Sequence, residues 1–143
     1  MIFLPLTIDN VDQVVDLQNS CFPDGWSKQS LLDGLNSQNL NGITAFDNNE
    51  LLGFLTYSVN QDFAELNDIL VAPSKRRMGI ANALMGEFIN LVKPQTQKIF
   101  LEVRSSNENA QSLYYKWGFT KLSVRKKYYQ DGEDAFVLQK EFL

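Results

Sequence analysis

The chain has 143 residues, 44% of them hydrophobic and 12% aromatic, with a formal net charge of −4. That length supports one domain with a real core, and the charge argues against binding nucleic acid through a broad basic footprint. One cysteine and no histidine exclude an internal disulfide, Ser-His-Asp and Cys-His catalysis, and imidazole metal sites.

Proton transfer in such a chain falls to Asp, Glu, Tyr, Lys, Cys or water. No apolar run approaches the ~18–20 residues of a membrane span. The start MIFLPLTIDN lacks the basic residues and long apolar core of a signal peptide. The expectation is a single cytoplasmic domain over residues 1–143, with no membrane and no nucleic-acid partner.

Residues 2–6 (IFLPL) predict a short edge strand, because Pro5 has no N–H for a central one. Asp9 or Asn10 is placed to cap a helix over roughly 11–20, with Val11, Val14, Val15 and Leu17 apolar. FPDGW is a turn, and Ser27 caps a second helix near 28–36 that turns Leu31, Leu32 and Leu35 inward. Residues 43–47 and 51–59 predict strands joined at Asn48-Asn49, a hairpin signal.

FAELNDILVA (63–72) predicts another strand with a slip in its alternation. Ala64 and Leu66 share one face, whereas Ile69 and Val71 fall in the opposite phase. Either a bulge lies between them or the strand is covered on both faces. A helix follows from Gly79 to Val92, with Ile80, Leu84, Phe88, Leu91 and Val92 at helical spacing and Pro94 as its stop. KIFLEV (98–103) is a strand, and SNENAQSLYYKWGF a capped helix ending at Gly118. FTKLSVRKKYY and DAFVLQKEF form a final antiparallel pair around QDGED. The class is mixed α/β.

RRMGIANALM (76–85) poses a question, because the helix macrodipole disfavours cations at a helix start. Neither GxxxxGK[ST] nor GxGxxG is present. What remains is Arg76-x-x-Gly79-x-Ala81, where two near-absent side chains let an anion approach the free N–H groups of the first turn. Small residues at a helix start also serve packing. Downstream, Asn107, Ala110 and Tyr114 fall at i, i+3 and i+7 and line one helix face. Glu102 is the one acid in its apolar strand, so it points to water, a partner or a cleft.

Together these stretches resemble the GNAT acyltransferase family, which uses acetyl-CoA. ILVAPSKRRMGIANALM is similar to its strand, pyrophosphate loop and helix, and Arg76, Gly79 and Ala81 fill its Arg/Gln-x-x-Gly-x-Gly/Ala pattern. LEVRSSNENAQSLYYKWGF, with FPDGWS, RKKYY and EDAFVL, resembles the branch that acetylates the N-terminal alanine of a small-subunit ribosomal protein (RimI-like). Ala81 stands where the family more often has a second glycine, and Asp24-Gly25 precede Trp26 where the branch often has neither.

The resemblance implies a GNAT fold: a twisted, mostly antiparallel sheet of six to seven strands with a splayed parallel pair, flanked by about four helices. It implies that pantetheine pairs with the backbone of Ile69 and Val71, and that an amide near Leu70 or Val71 polarises the thioester carbonyl. The diphosphate would sit on the amides of Arg77, Met78, Gly79, Ile80, Ala81 and Asn82, with Lys75, Arg76 or Arg77 reaching outer phosphates. Asn107 would bond the cofactor near its thiol, Glu102 would be general base and Tyr114 general acid, with no metal. The implied acceptor is a protein N-terminus, of a ribosomal protein in this branch, and the chain a monomer or weak dimer. Asp131, Glu133 and Asp134 either attract a basic tail or form a solvated turn. A lysine or small-amine acetyltransferase, or an acyl-CoA sensor without turnover, are the alternatives.

Overall fold

A computed structural model describes residues 1–22 and 25–142; Pro23 and Asp24 of the expected FPDGW turn lie outside the described residues. The strands are β1 (Ile2–Pro5), β2 (Asn41–Asp47), β3 (Glu50–Asn60), β4 (Phe63–Val71), β5 (Lys98–Arg104), β6 (Thr120–Arg125) and β7 (Ala135–Glu141). The helices are α1 (Val11–Cys21), α2 (Lys28–Asn36), α3 (Ile80–Val92) and α4 (Glu108–Lys116). All seven strands form one sheet in the order β1-β2-β3-β4-β5-β7-β6. Among the described residues only β4 and β5 pair in parallel; the other neighbours are antiparallel. This is the mixed α/β architecture expected, with the parallel pair at its centre.

Local chemistry accounts for most of these elements. Asn48 and Asn49 take left-handed φ of 49° and 69° and turn β2 back on β3, as a two-residue hairpin requires. The Ser27 hydroxyl accepts the Ser30 N–H at 3.0 Å and caps α2. Asn10 precedes α1 but does not cap it with its side chain. Its carboxamide accepts the Thr7 N–H at 2.9 Å and donates to the Pro5 carbonyl at 3.0 Å, bracing the turn into the helix instead.

The slip in β4 is a bulge. Thr56 pairs with Asp68 and Tyr57 with Leu66, so Asn67 is the extra residue. The bulge returns Ile69 and Val71 to the face that Ala64 and Leu66 occupy, where all four pack with α3 residues such as Leu84 and Phe88. Leu70 turns to the opposite face, with Phe54 and the α1–α2 residues Val11, Val14 and Leu31. The sheet thus separates two apolar layers, α3 and α4 on one face and α1 and α2 on the other.

Two sequence expectations change. Leu91 is 47% exposed, while Met85 and Ile89 are buried with Ile80, Leu84, Phe88 and Val92. Each residue turns the helix about 100°, and the buried stripe passes through 85 and 89 rather than 91. The strand read through Tyr129 ends at Arg125, because Lys127 takes a left-handed φ of 52° and the chain leaves the sheet. Among the described residues, no helix is long and apolar enough to cross a membrane.

Candidate active site

Pairing between β4 and β5 runs from Phe63 with Lys98 to Leu66 with Leu101 and stops there. The next residues are the bulge residue Asn67 and Glu102. Beyond them the strands part, and a cleft opens between Ile69–Val71 on one side and Glu102–Arg104 on the other. Its two lobes measure about 520 Å³ each and share Ile69, Asn107 and Ala110, so one channel runs from the start of α3 to Glu102.

At the α3 end, Gly79 has φ 79°, a conformation that favours glycine, and a Cβ there would meet nothing within 4 Å. The first helical bond runs from the Ala83 N–H to the Gly79 carbonyl at 3.0 Å, and no side chain caps the helix. The N–H groups of Ile80, Ala81 and Asn82 therefore have no intrahelical acceptor. Open space over a glycine, three free donors and the positive end of a dipole make an anion cradle. Arg76 and Arg77 are exposed at its rim, and Met78 is also exposed. Lys75 instead forms an ion pair with Glu50 at 3.3 Å. The Asn82 side-chain oxygen accepts the Trp117 indole N–H at 2.9 Å, which ties α3 to the end of α4.

Along the channel, the ladder decides which amides are free. The Ala72 N–H donates to the Leu52 carbonyl of β3 at 2.8 Å. Antiparallel alternation then turns Leu70 toward β3 as well, and Ile69 and Val71 toward the cleft. A Cβ at Gly53 would lie 2.7 Å from the Leu70 carbonyl oxygen, which fits that orientation. Of the two amides considered from sequence, Val71 has its N–H directed into the channel. Asn107 caps α4 by accepting the Ala110 N–H at 3.2 Å, which leaves its amide NH₂ as a donor at the shared middle of the channel.

At the far end, Glu102 and Tyr114 line the same lobe. Tyr114 is 7% exposed. Burial first, with the Asp68 charge, pushes its phenol above the ordinary value, so it holds its proton at neutral pH. Glu102 Oε1 accepts from Arg125 at 2.8 Å, while Oε2 is buried with no hydrogen-bond partner among the described residues. Hydrogen bonding to the Glu102 carboxylate, more than burial, raises the Tyr128 phenol.

The structure adds residues that sequence reasoning did not single out. Trp26 donates its indole N–H to Asp68 Oδ2 at 2.5 Å, closing one wall. Burial raises the Asp68 carboxyl, opposed by the bonds from Trp26 and Thr56. Tyr128 and Tyr129 stack edge to face, with centroids 5.0 Å apart, and form another wall. FPDGWS and RKKYY stood out as motifs, but no local pattern placed Trp26, Tyr128 and Tyr129 beside Glu102.

The acidic turn is neither a free lure nor simply solvated. Asp131 and Glu133 accept from Arg104 at 2.8 and 2.9 Å, and Asp134 accepts the Lys127 N–H at 2.9 Å. Bonds from Ser106 and Arg104 pull the Glu133 carboxyl down to about 2. These carboxylates fasten the β6–β7 loop over the cleft.

The profile of the Acetyltransferase (GNAT) family matches residues 11–119. The chain belongs to this family. It is 32% identical over 128 residues to the ribosomal protein bS18-alanine N-acetyltransferase of Escherichia coli K12, covering 87% of this chain and 84% of that one. It is 28% identical over 145 residues to the N-alpha-acetyltransferase of Saccharolobus solfataricus, covering 92% and 87%. The crystal structure of the ribosomal-protein-S18-alanine N-acetyltransferase from Escherichia coli matches with a TM-score of 0.88 at 26% identity, covering 98% of this chain and 92% of that one. The GNAT fold read from the sequence, with its splayed parallel pair and four helices, is the one observed, and the chain is an N-acetyltransferase.

Proposed function

We propose that this GNAT enzyme transfers the acetyl group of acetyl-CoA to the N-terminal α-amine of a protein, with a ribosomal-protein alanine as the acceptor class. The observation that carries the reading is the continuity of the channel: Ile69, Asn107 and Ala110 belong both to the lobe with the Gly79 cradle and to the lobe with Glu102 and Tyr114.

The residues fit acetyl-CoA, which when bound supplies an activated acetyl group. The amides from Arg77 to Asn82, with Arg76 at the rim, hold the diphosphate over Gly79. Ile69 and Val71 present main-chain groups to the pantetheine arm, and the Val71 N–H polarises the thioester carbonyl. The Asn107 amide donates near the thiol end. Glu102, at the wall of the acceptor lobe, accepts the proton that the acceptor ammonium loses, directly or through water. Tyr114, protonated and buried, donates a proton to the departing sulfur. Glu65, Asp68 and Glu102 line the acceptor lobe, which suits a group that arrives as a cation.

The acceptor follows from magnitudes. An α-amine has a pKa near ~8 and a lysine near ~10.4, so at neutral pH the lysine costs about 3.3 kcal/mol more to deprotonate. One carboxylate manages the α-amine more easily. The test is a set of peptides beginning with Ala, Ser or Met, beside an N-terminally blocked peptide with an internal lysine, all read by mass spectrometry with acetyl-CoA. The free N-termini are expected to react faster, Ala foremost. Equal rates for the blocked peptide remove the N-terminal reading.

A further inference from the structure

We infer that Arg125 is a positioning residue for Glu102, holding one carboxylate oxygen and so fixing the orientation of the carboxylate in the acceptor lobe. The inference rests on Glu102 as the base. β5 and β6 are not neighbours: β7 lies between them, with Glu102 opposite Val137 and Arg125 opposite Ala135. Arg125 must reach across an entire strand, roughly 9–10 Å at ordinary strand spacing. Even so, its Nη1 lies 2.8 Å from Glu102 Oε1. The Tyr128 ring supports the guanidinium, 4.5 Å from its centroid.

Stability is a weak reason for this contact. The Arg125 and Glu102 side chains are 54% and 22% exposed, and exposed ion pairs contribute only ~0–1 kcal/mol. A cation on the same strand as Glu102 was available in Arg104, but Asp131 and Glu133 engage it at 2.8 and 2.9 Å. Lys126 is engaged by Asp134 at 3.3 Å. Arg125 is the cation bound to Glu102, and it takes Oε1 alone. That leaves Oε2 buried and without a hydrogen-bond partner among the described residues. A carboxylate free to rotate would present either oxygen, at varying depth, to the proton it must take. Reaction rates are sensitive to such misplacement.

The experiment is a double-mutant cycle on the full chain with Arg125→Gln and Glu102→Gln, using acetyl-CoA and an alanine-initiated peptide. Arg125→Gln is expected to lower kcat about 10- to 100-fold and to leave KM for acetyl-CoA within about twofold. In the Glu102→Gln background it should have no further effect. Arg125→Lys should recover part of the rate, since it restores a cation without the planar fork. Melting curves check that each variant is folded. Wild-type kcat in Arg125→Gln, or the same loss in both backgrounds, overturns the positioning role while leaving the base intact. Wild-type kcat in Glu102→Gln removes the base itself, and the inference with it.

Discussion

Glu102 and Tyr114 reach one channel from opposite faces of the sheet. Leu101 and Val103 point into the layer that contains Tyr114, α3 and α4. Strand alternation sends Glu102 the other way, toward Trp26 and the tyrosines of the β6–β7 loop. The two side chains meet only because β4 and β5 stop pairing at Leu66 and Leu101. In the proposed roles, a base and an acid placed across a gap in a sheet serve the two ends of one transfer. Replacing Tyr114 with Phe should lower turnover by about 10- to 100-fold while calorimetry finds acetyl-CoA binding little changed. Wild-type turnover in that variant removes Tyr114 from the chemistry.

Two glycines separate ligand binding from folding. Gly79→Ala places a methyl in open space at φ 79°, so the expected folding cost is only the left-handed strain, about 1–2 kcal/mol. The methyl enters the anion cradle, and acetyl-CoA affinity should fall about tenfold or more, equivalent to ~1.4 kcal/mol. Gly53→Ala meets the Leu70 main-chain oxygen at 2.7 Å, where no side chain can yield. It should destabilise the fold by about 1–3 kcal/mol. Parallel melting and calorimetry on the two variants check the contrast.

Trp26 lines the proposed acceptor end. Its indole N–H binds Asp68 at 2.5 Å, and its carbonyl accepts the Gln18 amide at 2.6 Å, which fixes the residue over the cleft. Trp26→Phe keeps an aromatic surface and removes the bond to Asp68. KM for the acceptor peptide should rise about 3- to 10-fold, in line with the ~0.5–1.5 kcal/mol net worth of a typical hydrogen bond, while KM for acetyl-CoA stays unchanged. A rise confined to acetyl-CoA contradicts this placement.

Acid should loosen the loop that holds Tyr128 and Tyr129. Glu133 is pulled to about 2 in the fold, below its ordinary 4.5. The unfolded chain therefore binds this proton more tightly than the folded one. The stabilisation is fully present above about pH 4.5 and is lost as pH falls toward 2. Asp131 and Asp134, also lowered, act in the same direction. Glu133→Gln should flatten the acid limb of the melting temperature against pH, and amide exchange should quicken in residues 126–134. An acid limb of unchanged steepness contradicts the role.

The backbone geometry of the candidate anion cradle was legible without coordinates, because every part of it lies within one run from Arg76 to Asn82. A helix start, a glycine with left-handed φ and two missing side chains are matters of local backbone chemistry. The shared face of Asn107, Ala110 and Tyr114 was legible for the same reason, since it follows from helical pitch alone. The bulge was only half legible. The slip between Leu66 and Ile69 shows in the letters, but choosing a bulge over a strand buried on both faces required the pairing of Thr56 with Asp68 and Tyr57 with Leu66.

Tertiary structure decided the partners of the chemistry. Arg125 meets Glu102 across 23 positions of sequence, and Trp26 meets Asp68 across 42. The first depends on strand order, with β7 lying between β5 and β6, and the second on the segment between α1 and α2 reaching β4. Amphipathic period, capping and turn chemistry act over a few residues, so they set which segments become strands and helices and which faces are apolar. Which strand lies beside which is settled by closure of the whole core, and with it whether a carboxylate is free, clamped or aimed at a substrate.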